Sequence, residues 1–178
     1  MAVLLFARSC LGVRAQIALD RRSPETWHDL WEQQILAGHA ADRLDDPAKA
    51  QLHYEAAIAT MQTLSDSDTS NEVWQDDLRY SFSRAGRMAV NQRDWATAEE
   101  HYDAALRIAR RLAGLAPDDI DRQIVLVTAY YSSGATKNDR TLEWATALRI
   151  IEELMVMDGL TDEQIASLDR VRALISEQ

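Results

Sequence analysis

Apolar residues along much of this chain recur at alternating steps of three and four, the period of a helix that buries one face. Two stretches repeat the same run of steps. They are Ala50, Tyr54, Ala57, Met61 and Leu64, and then Ala98, Tyr102, Ala105, Ala109 and Leu112. Good helix formers such as Ala, Leu, Arg and Glu are frequent, and long β-branched runs are rare. The pattern therefore predicts an all-α fold.

Helix start and stop signals divide the chain into pairs of helices within one domain over residues 1–178. Asp46-Pro47 places a capping residue before a proline suited to the first helical position. Thr161 and Gln164 have the spacing of a capping box. The polar run 65–71 is predicted to be a loop that holds the next cap. The predicted units are a helix over 2–22, hairpins over 24–64, 71–114 and 118–158, and a capping helix over 161–176.

Part of the first hairpin recurs in the second at a separation of 48 residues. The matched pairs are Gly38 with Gly86, Asp46 with Asp94, and Tyr54 with Tyr102. The tetrapeptide Trp-Ala-Thr-Ala at 95–98 recurs at 144–147, which is one residue further on. This offset indicates an inserted residue in the intervening turn, and the recurrence predicts a repeated helical hairpin.

The spacing of small and aromatic residues resembles that of the tetratricopeptide repeat. A small residue is followed by Ala after twelve residues, by an aromatic after four more, and by Ala after a further three. The matching sets are Gly38, Ala50, Tyr54 and Ala57, then Gly86, Ala98, Tyr102 and Ala105, and in a degenerate third copy Gly134 and Ala147. The period of 48 exceeds the usual repeat of about 34 residues by about two turns for each helix.

This resemblance, which covers residues 24–158, implies a right-handed superhelical stack of antiparallel hairpins, an α-solenoid. Long repeats of this kind look like the helical arrays of bacterial signalling and regulatory proteins. Glycine inside a helix costs about 0.5–1 kcal/mol relative to alanine. We therefore expect close approach of the partner helix at Gly38, Gly86 and Gly134, facing Ala50, Ala98 and Ala147. Tyr54 and Tyr102 are expected to fill the space between adjacent hairpins.

The charge of the chain narrows the class of partner. Its 29 acidic and 19 basic residues give a formal charge of −10, which disfavours nucleic acid and anionic membranes. The N-terminal apolar run lacks a basic flank and is interrupted by Arg8, so it does not fit a signal peptide. No apolar segment approaches the about 20 residues of a spanning helix. A cytoplasmic protein is expected.

Motifs that carry catalysis or bind cofactors are missing from the sequence. There is no Gly-rich phosphate loop, paired-cysteine metal spacing or nucleophile elbow. Cys10 is interpreted as a core residue, and His53 and His101 as packing residues beside the tyrosines. The acidic run from Asp66 resembles the opening of a calcium loop, but Asn71 stands where the loop needs glycine. We expect no enzyme activity, no cofactor and no metal.

The inner surface of such a stack is lined by the first helix of each hairpin. Candidate partner-binding residues are therefore Tyr80, Ser83, Arg84, Arg87 and Asn91, with His39, Arg43, Thr128 and Asn138 at similar offsets on neighbouring helices. Arg84, Arg87 and Asn91 would receive an acidic peptide or a C-terminal carboxylate. The alternative is a solvated polar face.

Two functions follow from this interpretation. The first is a scaffold that binds a peptide or helix of another protein in its concave groove. The alternative is a structural, regulatory or self-associating segment of a larger bacterial signalling protein, in which case a homo-oligomer is expected. The sequence leaves the identity of the partner open.

Overall fold

The computed structural model describes residues 23–177. This part of the chain is helical and contains no strand, so the prediction of an all-α fold is confirmed. Its seven helices are α1 (Pro24–Arg43), α2 (Pro47–Ser67), α3 (Glu72–Asn91), α4 (Trp95–Leu115), α5 (Ile120–Thr136), α6 (Thr141–Met155) and α7 (Asp162–Ser176). The predicted helix over 2–22, with Cys10, lies outside the described residues.

The predicted capping side chains begin the helices. Asp46 Oδ1 accepts the backbone N–H of Lys49 at 3.0 Å and so caps α2. Thr161 and Gln164 make both bonds of the capping box of α7, at 3.2 and 2.9 Å. Because the first N–H groups of a helix have no partner within it, these bonds fix where each helix begins.

The end of the first hairpin differs from its predicted position. α2 continues to Ser67, beyond the predicted end at residue 64. Ser65 is buried, and its hydroxyl donates to the backbone carbonyl of Trp74 at 3.3 Å. A buried serine is tolerated in the core when its hydroxyl has a hydrogen-bond partner, as Ser65 has on α3. The helix therefore continues into the polar run. The loop shrinks to residues 68–71, and Asn71 caps α3 as predicted.

The turns of the first two hairpins have the same backbone geometry. Asp45 and Arg93, which are 48 residues apart, both have a left-handed φ, of 57° and 60°. The next residue of each turn donates its N–H back to an alanine carbonyl in the helix before it. These bonds are Asp46 N to Ala41 O at 3.1 Å and Asp94 N to Ala89 O at 2.9 Å. Residues at equivalent sequence positions therefore close the two turns in the same way.

Each helix packs on the next one along the chain, and α7 packs on both α5 and α6. The buried apolar side chains form two clusters. One is built from α1, α2 and α3, around Tyr54 and Met61, and the other from α4 to α7, around Ile151 and Leu168. No helix within residues 23–177 combines the length and the apolar character needed to cross a membrane.

An aromatic ring of the second helix rests on a glycine of the first in the first two hairpins. A Cβ added at Gly38 would lie 2.5 Å from Tyr54 Cε1, and one added at Gly86 would lie 2.9 Å from Tyr102. The predicted close approach is therefore present, but a ring approaches, and not the small residue that was expected to face the glycine. Each ring therefore lies on the glycine of its own hairpin, and Tyr102 also lines the space towards the next hairpin.

The third hairpin places a ring on its glycine from a different position. A Cβ at Gly134 would lie 2.5 Å from the indole of Trp144, whose Nε1 donates to the carbonyl of Tyr131 at 3.1 Å. Trp95, its match in the repeated tetrapeptide, is instead the first residue of α4 and is 52% exposed. α6 begins three residues before Trp144, whereas α4 begins at Trp95. The two copies of the tetrapeptide therefore lie at different positions along their helices. The aromatic missing at Ile151 is thus replaced by Trp144.

Candidate functional site

A groove of about 300 Å³ lies between α3 and α5. Its lining includes five of the six principal candidate residues: Tyr80, Ser83, Arg84, Arg87 and Thr128. Helical neighbours three and four apart share a face, which explains why the α3 residues meet there. The α5 wall is largely apolar and includes Ile124, Val125 and Ala129, and Tyr102 of α4 contributes to the lining. We call this surface the α3–α5 groove.

Four other candidate residues do not line this groove: Asn91, Arg43, Asn138 and His39. Asn91 is the last residue of α3 and is exposed, so the structure does not bring it to Arg84. Arg43 and Asn138 are exposed at the end of α1 and in the turn after α5. A carboxylate held by Arg84 and Asn91 together is therefore not supported by the geometry.

Arg84 is the candidate whose charge is available. Its guanidinium lies 4.7 Å from the centroid of the Tyr80 ring. Such a cation–π contact orients the side chain but leaves its N–H donors free. Among residues 23–177, Arg84 makes no ion pair with a carboxylate. It can therefore present a bidentate donor to a ligand.

Arg87, in contrast, is already paired. Its Nη2 donates to Asp42 Oδ2 at 2.5 Å, and the two side chains are 42% and 25% exposed. The bond joins α3 to α1 and restrains the guanidinium. The prediction that Arg87 is a free ligand for a carboxylate therefore needs correction. Its partner was missed because it lies 45 residues away, on a helix whose placement the sequence does not show.

His39 joins the same region from α1. Its Nε2 shares a hydrogen bond of 3.0 Å with the Tyr80 hydroxyl, which fixes the ring beneath Arg84. Burial lowers the pKa of His39, and the nearby charges of Arg84 and Arg43 lower it further. The imidazole is therefore neutral near pH 7, and the surrounding charge is positive.

Two tyrosines complete the polar surroundings. Burial raises the pKa of Tyr102 to about 12, and it also raises the pKa of Tyr54, so both are neutral phenols. The Tyr54 hydroxyl and Arg87 Nε are buried and have no hydrogen-bond partner among the described residues. Unsatisfied buried donors are uncommon in folded proteins. These two atoms lie behind the part of the groove that Arg79, Arg84 and Arg87 line, which we call the basic end.

A second cavity of about 370 Å³ adjoins the first, and Val125 lines both. Five carboxylates line it: Glu72, Asp76, Asp77, Asp119 and Asp121. Arg122 is the one basic residue in its lining, and it pairs with Glu72 at 2.7 Å and with Asp119 at 3.2 Å. We extend the name α3–α5 groove to both cavities and call this one its acidic end.

Sequence reasoning missed the acidic end because its members also fit ordinary helix-start chemistry. Asp119 caps α5, and Glu72 lies in the first turn of α3. Asp77 is half-buried and lies 3.0 Å from His28 Nε2, and burial raises the pKa of its carboxyl group. The sequence does carry one signal of this acidic cluster. Acidic residues recur at the starts of α3 and α5, two helices that the repeat places side by side.

The groove has the features of a binding surface. Within the described part of the chain, no group of three or more His, Cys, Asp or Glu residues is placed to hold a metal ion. Its side chains offer charge, hydrogen bonds and an apolar wall, which suit recognition of a polar chain. Comparisons with protein-family models, with curated proteins and with solved structures found no match for this chain.

Proposed function

We propose that this protein is a tetratricopeptide-like interaction module that binds a peptide segment of another protein in the α3–α5 groove. One observation carries the proposal. Arg84 is oriented by Tyr80 but is without a carboxylate partner among the described residues, in a groove where four other candidate residues also lie. A charged donor in this position suits an acidic side chain or a C-terminal carboxylate.

The repeat assignment is supported by the joints of the hairpins. Tyr54 on Gly38 and Tyr102 on Gly86 occupy equivalent positions, and the turns at Asp45 and Arg93 share one backbone geometry. Stacking equivalent hairpins brings their first helices onto one surface. We infer that the stack is a right-handed superhelix and that α3 and α5 belong to its concave surface.

A peptide suits the groove better than a compact ligand. The groove runs between two helices, with polar side chains on α3 facing a largely apolar wall on α5. An extended chain offers both kinds of contact at short intervals, because its side chains alternate in direction.

Selection from a displayed library of random heptapeptides would test this function. The wild-type protein should enrich peptides whose binding is lost in Arg84→Glu. Arg149→Glu is the matched control, since Arg149 is exposed on α6 away from the groove and pairs with Glu153. No enrichment, or equal binding by Arg84→Glu, would overturn the proposal. Light scattering that shows self-association through α3 and α5 would favour the alternative of a self-associating segment.

A further inference from the structure

The α3–α5 groove carries opposite charges at its two ends. At the acidic end the lining includes five carboxylates and one basic residue, Arg122, which pairs with Glu72 and Asp119. At the basic end the lining includes Arg79, Arg84 and Arg87, and no carboxylate. Asp42 pairs with Arg87 and Asp76 with Arg79, which leaves Arg84 as the free cation of that lining.

The two ends belong to one continuous surface. Val125 lines both cavities, and the bond of 2.6 Å between Arg79 Nε and Asp76 Oδ1 crosses from one to the other. α3 and α5 run in the same direction there, because early residues of both helices line the acidic end and later residues of both line the basic end. The charge therefore changes sign along the groove and not across it.

The length of this surface sets the length of chain that it can hold. The rise of a helix is about 1.5 Å per residue, so Glu72 and Arg87 are separated by about 22 Å along α3. An extended peptide advances about 3.3 Å per residue. About seven peptide residues would span both ends.

A free donor also distinguishes the basic end. Arg84 has N–H groups without an acceptor among the described residues, whereas the Tyr54 hydroxyl and Arg87 Nε are buried and do not reach the groove. Acceptors are what such a site recruits, whereas the acidic end offers acceptor oxygens to a cation. Each end is therefore complementary to a ligand group of the opposite charge.

We propose that the partner segment is a charge-segregated peptide of about seven residues, with basic side chains at the Glu72 end of the groove and acidic groups at the Arg84 end. The proposal rests on the peptide-binding function given above and adds the composition and orientation of the ligand. Opposite charges at the two ends would make the reversed orientation unfavourable at both. The overall charge of −10 favours first encounter by the basic part of the peptide.

Two synthetic peptides of equal composition test the charge order. Both are capped at their termini by acetyl and amide groups, and their sequences are KKALAEE and KEALAKE. The segregated peptide should bind about tenfold more tightly by fluorescence anisotropy at low salt, since several exposed ion pairs together reach that ratio. The difference should shrink as salt is added.

Charge reversals at each end give matched variants. Asp76→Lys and Arg84→Glu should each weaken binding of the segregated peptide by several-fold. Asp66→Lys on α2 and Arg149→Glu on α6 make the same charge changes at exposed positions outside the groove lining. Both control variants should bind the segregated peptide as the wild type does.

Orientation is measured with a nitroxide label on one end of the segregated peptide. A label on the glutamate terminus of the peptide should broaden the amide signals of Ser83 and Ser132, at the basic end of the groove. A label on the lysine terminus should broaden those of Val73 and Asp121, at the acidic end of the groove. Equal affinity of the two peptides, or a reversed broadening pattern, overturns the charge order while leaving the peptide-binding function intact. If neither synthetic peptide binds while library peptides do, the charge order is likewise overturned and the peptide-binding function stands. If no library peptide binds either, the peptide-binding function is overturned.

Discussion

Side-chain bonds cross the space between α1 and α3, and a cavity of about 460 Å³ remains where the two helices begin, whereas the space between α3 and α5 forms the groove. Four side-chain bonds cross the first, which we call the α1–α3 seam. They are His28 with Asp77, Trp31 with Ser81, His39 with Tyr80, and Arg87 with Asp42. Between α3 and α5 the described bonds include Arg122 with Glu72, at the acidic end.

The difference shows what leaves a space open between neighbouring helices. Tyr54 and Tyr102 occupy equivalent joints, yet Tyr54 is fully buried behind the α1–α3 seam and Tyr102 lines the α3–α5 groove. The backbone turns of the two hairpins are alike. The residue types that face the next hairpin therefore decide which space stays open.

The largest effect is expected from Ala98→Glu, which disrupts α4, the helix that packs on both walls of the groove. Ala98 is fully buried in α4, and a carboxylate there has no room and no partner. We expect a loss of more than about 4 kcal/mol and unfolding of the middle hairpin. Circular dichroism and thermal melting measure it, with exposed Ala96→Glu as the control. An unchanged melt of Ala98→Glu would show that the packing is wrong.

Gly38→Ala and Gly86→Ala compare the two joints directly. At Gly38 the new methyl group meets the buried ring of Tyr54 at 2.5 Å, and the seam prevents the ring from moving. We expect a loss of about 1–3 kcal/mol. At Gly86 the ring of Tyr102 can shift toward the groove, and the gain in helix propensity offsets the contact, so the change should be near zero. Chemical denaturation measures both, and equal losses would contradict the comparison.

Ser81→Ala opens one bond of the seam. Trp31 Nε1 donates to Ser81 Oγ at 2.8 Å in the buried interior, so the substitution leaves a donor without an acceptor. The expected loss is about 1–2 kcal/mol. Ser83→Ala is the control, because both serine hydroxyls donate to a backbone carbonyl of α3, but Ser83 lies in the groove and not in the seam. If the two variants unfold at the same denaturant concentration, the seam bond contributes nothing.

The smallest effect concerns the pH dependence of stability. The pKa of His39 is lowered in the folded protein, so below the ordinary value of about 6.5 the unfolded chain binds more protons than the folded one. The contribution of neutral His39 is present above that pH and is lost as pH falls through the folded pKa. His39→Gln should therefore flatten the decline of stability between about pH 7 and pH 5. Superimposable profiles for the two proteins would refute this.

Local rules explain how much of this fold the sequence could predict. Apolar periodicity and the caps at Asp46 and Thr161 depend on neighbouring residues, and the helices follow them. Ser65 reads as a loop residue by its polarity, but a bond to Trp74, on the next helix, places it in the core. Long-range packing of this kind leaves no signature in a local pattern.

The candidate site could be predicted to the same extent. Tyr80 and Arg84 lie four residues apart on one helix, so their shared face is visible in the sequence, and the structure places them in contact. The pairing of Arg87 with Asp42 depends on how α1 and α3 are placed. Prediction of the acidic end likewise requires the relative placement of helices, here α3 and α5. A carboxylate at a helix start is ordinarily explained by that helix alone.

The division of the core into two clusters has a consequence for how the protein is made. The buried residues of the first cluster end at Met88, with Ile108 of α4 packed against them later, and those of the second begin at Leu106. Contacts confined to nearby segments have low contact order and form quickly, and domains fold as they leave the ribosome. The first cluster can therefore assemble during translation, with α3 fixed by its contacts to α1 before α5 is synthesised. The α3–α5 groove is then completed only when α5, its second wall, is synthesised.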